Sequence, residues 1–81
     1  MSTVRMRVKL TFPEELVRLP LLARMVRRFE VEPNIRRANV EDDRGWILCE
    51  LEGDAGAVDE ALAWLGSEGV EVALLGDVLE S

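Results

Sequence analysis

The side chains through which this chain could do chemistry are Asp42 with Asp43, Cys49, and the amides and guanidinium groups near Asn34; the acids and the thiol lack the partners that catalysis needs. Adjacent carboxylates at Asp42 and Asp43 could meet a divalent cation, but hard cations take about six to eight oxygen ligands, and acids in a short turn are ordinarily solvated. Cys49 lies between Ile47 and Leu51 in an alternating stretch, the setting of a small buried hydrophobe rather than a nucleophile. The chain has no His, so the usual base for a Ser, Thr or Cys nucleophile is missing. A Cys/His zinc centre is excluded on the same ground, and a single Cys cannot form a disulfide within one chain. The glycines stand singly, and neither GxGxxG nor GxxxxGK[ST] occurs to cradle a phosphate. The expectation is a protein that is not an enzyme and carries no metal or other cofactor.

Length and charge narrow the class further. A chain of 81 residues has room for one small domain, with a core over about residues 4–75 and a loose tail at 76–81. Its formal charge of −6 argues against a dedicated nucleic-acid or anionic-membrane binder, because phosphate binding rests on clustered Lys and Arg. That sum hides a split. Residues 1–40 hold nine bases against four acids, whereas residues 41–81 hold Arg44 alone against twelve acids. The N-terminal MSTVRMRVKL alternates charge with apolar residues, so it reads as a strand rather than a signal peptide, and no stretch is long enough to span a membrane. A cytoplasmic setting is the simplest expectation.

The elements follow from periodicity. Val4, Met6, Val8, Leu10 and Phe12 alternate with polar residues, which predicts a strand that Pro13 ends. Pro20 suits the start of a helix, along which Leu21, Leu22, Met25, Val26 and Phe29 form an apolar stripe opposite Arg24, Arg27 and Arg28. The stretch 31–41 predicts a second strand with a fault: Ala38 and Val40 are in phase with Asn34 and Arg36, and Ile35 is not. A bulge near Arg36 reconciles the halves. Trp46–Glu52 makes a third strand, with Ile47, Cys49 and Leu51 on one face and Trp46, Leu48, Glu50 and Glu52 on the other. Asp54 is a good N-cap for a helix to about Glu68, Gly69 stops it, and Val70, Val72 and Leu74 open a last strand.

This order, βαββαβ, predicts an α+β ferredoxin-like domain: a four-stranded antiparallel sheet of order 4-1-3-2 with both helices on one face. Many unrelated functions share that fold. An acylphosphatase-type site pairing Arg18 with Asn39 needs a glycine-rich loop, and TFPEELVRLP has none. RNA-recognition domains stack bases on aromatics of the middle strands, where only Phe12 and Trp46 are available in an acidic chain. Copper carriers need a CxxC, which is absent.

One stretch is more specific. VKLTFPEELVRLPLLARMVRRFEVEPNIRRANV, followed by GWILCELEGD, EALAWL and EGVEVALL, resembles the NIL domain, a family named for an Asn-Ile-Leu at its second strand. Here those positions read Asn34-Ile35-Arg36. The resemblance implies a fold similar to ACT domains, which dimerise and bind small amino acids between protomers. It implies a regulatory role like that of NIL domains in the ATPases of methionine importers, or in ferredoxin-type proteins of sulfur metabolism. The compact turn EDDRGWILCELEG looks closer to the ferredoxin-associated form. The expected partners are therefore a methionine-like amino acid, a second copy, and a transporter ATPase or ferredoxin.

On that resemblance Asn34 is the polar anchor for an amino-acid ligand, and Ile35 supplies part of an apolar wall. Arg36 and Arg37 are candidates for its carboxylate, since guanidinium forks match carboxylates. Trp46 and Leu48, on the sheet face away from the helices, are the candidate dimer interface. The charge split is expected to be largely internal, with Arg5, Arg7 and Lys9 facing Glu50, Glu52 and Glu71 across strands.

Overall fold

The computed structural model of the chain describes residues 3–17, 19–41 and 43–77. Arg18, Asp42 and the end of the tail, 78–81, lie outside them.

Strand β1, Thr3–Pro13, realises the clearest alternation of the sequence. Val8, Leu10 and Phe12 are buried, Val4 and Met6 pack half-buried beside them, and Arg7 and Lys9 stand exposed on the other face. The Pro13 carbonyl accepts from the amides of Leu16 at 2.9 Å and Val17 at 3.1 Å. That turn satisfies backbone groups at the strand end and tucks Leu16 and Val17 against the core. Helix α1, Leu21–Phe29, starts after Pro20, which sits at the N-cap and not at the first helical position. It buries Leu21 and Met25 and ends at Glu30, a non-glycine residue at φ 56° whose amide donates to Val26 at 3.1 Å.

Strand β2, Glu32–Val40, and strand β3, Arg44–Asp54, are joined by a short turn. Asp54 then caps α2, Ala55–Ser67, by accepting from the Gly56 amide at 3.2 Å. The helix buries Val58, Ala61, Leu62 and Leu65. Gly69, at φ +104°, turns the chain into β4, Glu71–Asp77, so β4 runs into the segment read as tail. The sheet order is β2-β3-β1-β4, and each neighbouring pair is antiparallel. This is the expected ferredoxin-like α+β arrangement. Residues from both helices and from one row of β1 and β3 form a single core, so the helices cover one face and leave the other open.

The fault in β2 resolves as expected. Its register against β3 shifts between Ile35 and Arg37, which makes Arg36 the bulged residue. Ile35 then stands opposite Cys49 and Ala38 opposite Ile47, both on the helix side, while Asn34 and Arg37 face Glu50 and Leu48 on the open side.

The charge pairing is borne out in two places and corrected in a third. Arg5 donates to Glu52 from Nε at 3.0 Å and from Nη2 at 2.6 Å, and Arg7 donates from Nη2 to Glu50 at 2.9 Å. Lys9 instead faces Leu48 and Ala73, and its ammonium lies 5.2 Å from the Trp46 ring centroid. Glu71 stands opposite Thr11, one step beyond the reach of that row.

Candidate functional site

The open face of the sheet is a grid set by register. One row runs Glu32, Glu52, Arg5, and the next runs Asn34, Glu50, Arg7. Two further rows run Arg37, Leu48, Lys9, Ala73 and Asn39, Trp46, Thr11, Glu71. The bulge inserts Arg36 between the second and third rows and sends its guanidinium toward Glu50, with Nη2 3.5 Å from Oε1.

Glu50 is the unexpected member. It lies on the face that no helix covers, yet only 1% of it is exposed. The arms of Arg7 and Arg36 flank it, and their charges offset the cost of desolvating a carboxylate. The hydrogen bond from Arg7 is the largest influence on the carboxyl and holds it below its ordinary range, assisted by the Arg36 charge and opposed by burial. Oε2 takes the Arg7 bond, but Oε1 is buried with no hydrogen bond.

Beside it is a cleft of about 300 Å³ lined by Arg5, Glu32, Pro33, Asn34, Glu50 and Glu52. Asn34 is exposed, and among the described residues its amide makes no side-chain hydrogen bond. The structure therefore brings Asn34, Arg36 and Arg37 to one surface. Ile35, half-exposed, stands on the other side of the sheet edge and cannot wall a ligand held by Asn34 in the same protomer. Trp46 and Leu48 are half-buried on the same open face as Asn34. A smaller apolar pocket, about 140 Å³, lies between the start of α1 and the turn-end of β2 and β3, lined by Val17, Leu19, Leu22, Val40 and others. It meets β2 at Val40, six residues from Asn34 and so about 20 Å along the strand.

The other side chains of interest take structural roles. Cys49 is buried in the core, and burial first, then the Glu50 charge, pushes its thiol up to about 11. Asp43 lies 4.0 Å from Arg44 in the turn. Of the arginines on α1, Arg28 stacks over Phe29 and Trp64 at 5.4 and 5.9 Å, whereas Arg24 and Arg27 are exposed and make no ion pair among the described residues. Sequence reasoning placed Glu50 as an outward-facing charge opposite the basic row of β1; what it missed was the burial of Glu50 and the second arginine, Arg36, approaching it from β2.

Fold and surface together define a ferredoxin-like domain with a charged, cleft-bearing sheet face. Within that class the chain belongs to the NIL domain family, whose model matches residues 6–73. The chain is 33% identical over 75 residues to the methionine import ATP-binding protein MetN of Photorhabdus laumondii, covering 88% of the chain and 22% of that protein. It is 29% identical over 68 residues to MetN of Helicobacter hepaticus, covering 79% of the chain and 19% of that protein. The chain thus spans about a fifth of the length of the curated relatives it matches. Its backbone superimposes on the C-terminal domain of an ABC transporter ATP-binding protein from Enterococcus faecalis with a TM-score of 0.77, at 25% identity, covering 88% of this chain and 83% of that domain. A designed protein, Foldit4, shares the fold at a TM-score of 0.61 and 13% identity, covering 99% of this chain and all of that one.

Proposed function

We propose that the chain is a non-enzymatic regulatory domain that binds methionine or a related sulfur amino acid and reports its presence to a transporter ATPase on the cytoplasmic side of the membrane. The observation that carries this reading is the 33% identity to a methionine import ATP-binding protein along most of the chain. The open face supports it. Asn34 presents an amide that can donate to a ligand carboxylate and accept from its ammonium, and Arg37 adds an exposed guanidinium beside it. A second copy laid against this face would turn the half-buried Trp46 and Leu48 into an apolar wall over the cleft, which one protomer lacks. The ligand-bound form is accordingly a homodimer. Calorimetry with methionine, paired with sedimentation of the same samples, tests the reading: saturable binding and a shift toward dimer support it.

A second reading rests on α1. Arg24 and Arg27 are exposed and unpaired among the described residues, and they present positive charge to an acidic partner such as a transporter ATPase or a ferredoxin. Under that reading the domain docks without a ligand, and replacing both arginines by Ala releases the partner while methionine changes nothing.

A further inference from the structure

The buried Oε1 of Glu50 is paired with the Arg36 charge but accepts no hydrogen bond. Its sister oxygen already takes the Arg7 hydrogen bond, and Arg36 Nη2 stands 3.5 Å from Oε1 without making a hydrogen bond to it. An ionised acceptor shut away from water and left unbonded is costly, so native proteins rarely keep one without a use. Glu50 also lines the cleft with Asn34, Glu32, Pro33, Arg5 and Glu52.

The cleft's chemistry points one way. Its lining holds three carboxylates against a single Arg, and that Arg5 is engaged by two hydrogen bonds to Glu52. The remaining lining groups are the Glu50 carboxylate, whose Oε1 is shut away from solvent, the Asn34 amide and the exposed Glu32, so acceptors outnumber donors. Among the described residues no group of three is placed to hold a metal ion. A primary ammonium, with three donors and one positive charge, fits such a set, whereas an anion does not. Arg36 is the movable part. Its side chain is 56% exposed on a bulge at the sheet edge, so it can swing into solvent at little cost.

We propose that this cleft is a subsite for the primary ammonium group of an amino acid or amine, with Glu50 Oε1 as its acceptor, and that the ligand ammonium replaces Arg36 beside Glu50. This deepens the reading above and rests on it for the amino acid's identity. It makes Glu50, rather than Asn34 alone, the residue that distinguishes a free amino acid from an N-blocked one.

The test is calorimetry on the whole chain and on Glu50→Gln and Arg36→Ala, with three probes: L-methionine, 3-(methylthio)propylamine, which keeps the ammonium and lacks the carboxylate, and N-acetyl-L-methionine, which lacks the ammonium. The expected result is that both ammonium probes bind, the acetylated probe binds about tenfold more weakly or worse, and Glu50→Gln weakens methionine by about tenfold or more. Arg36→Ala, which removes the competing cation and leaves Glu50 in place, tightens both ammonium probes by about two- to fivefold. Should Glu50→Gln fail to fold, Arg36→Ala decides: tightening supports the proposal, and an unchanged Kd overturns it. Methionine binding that is the same in wild type and both variants overturns the subsite while leaving the methionine reading intact. Glu50-dependent binding of the amine without any methionine response upholds the subsite and overturns that reading. Absence of binding by either ammonium probe at millimolar concentration overturns both.

Discussion

Arg7 on β1 and Glu50 on β3 stand opposite each other in register, and the Arg7 guanidinium donates to Glu50 Oε2 at 2.9 Å on a sheet face that no helix covers. This bond is the main reason the Glu50 carboxyl titrates below its ordinary value of 4.5. Between the lowered value and the ordinary one, the unfolded chain binds a proton that the folded chain does not. The contribution of Glu50 to stability is therefore complete above the ordinary value and is lost as pH falls through the lowered one. Urea denaturation at neutral pH and at about pH 3 checks this. Wild type is expected to lose more stability on acidification than Glu50→Gln, and equal losses would contradict the account.

Cys49, with its thiol pushed up to about 11 in the core, is expected to resist thiol reagents at pH 8. Labelling should proceed at the rate of global opening and become rapid only in denaturant. Fast labelling of the native protein would mean that the sheet opens locally at β3. Cys49→Ser is expected to cost about 1–3 kcal/mol, since it puts a hydroxyl among Val8, Ile35 and their neighbours.

Asp54 closes β3 and caps α2 through its bond to the Gly56 amide. Asp54→Ala is expected to lower stability by about 1 kcal/mol, whereas Asp54→Asn, which keeps the accepting oxygen, should lose much less. Denaturation midpoints of the three proteins give the comparison.

Two glycines of one helix end should respond oppositely. Gly69 sits at φ +104°, and a Cβ there would lie 3.1 Å from Leu16 Cδ1, so Gly69→Ala is expected to destabilise by about 1 kcal/mol or more. Gly66 is helical, and a Cβ there meets nothing within 4 Å, so Gly66→Ala is expected to stabilise by about 0.5–1 kcal/mol. Thermal melts of the pair separate backbone strain from packing.

The sequence carried the fold because its local signals agree: alternation in β1, Pro13 as a stop, Asp54 as a cap and Gly69 as a turn each act within a few residues. Even the bulge at Arg36 was legible, since Ile35 and Ala38 could share the helix side only if one residue between them were unpaired. The site was less so. Asn34 and Arg37 fall on the open face, but Ile35 is parted from Asn34 by simple strand alternation and from Arg37 by the bulge between them. The burial of Glu50 could not be read from its own strand, because it depends on Arg7 and on Arg36, 43 residues before it and across a register shift respectively. Lys9 failed to pair with Glu71 for a similar reason: the register sets Glu71 against Thr11 and leaves Lys9 to the Trp46 ring.

On the proposed function, the open face of this NIL domain binds methionine through Asn34. Titration of wild type and Asn34→Ala with L-methionine in one calorimeter tests it directly, because Asn34 is exposed and its side chain bonds no other described residue, so the variant keeps its fold. A saturable isotherm for wild type and a Kd about tenfold higher or more for Asn34→Ala are the expected outcome. No heat and no thermal shift for wild type at millimolar methionine, or the same Kd for both proteins, would contradict it.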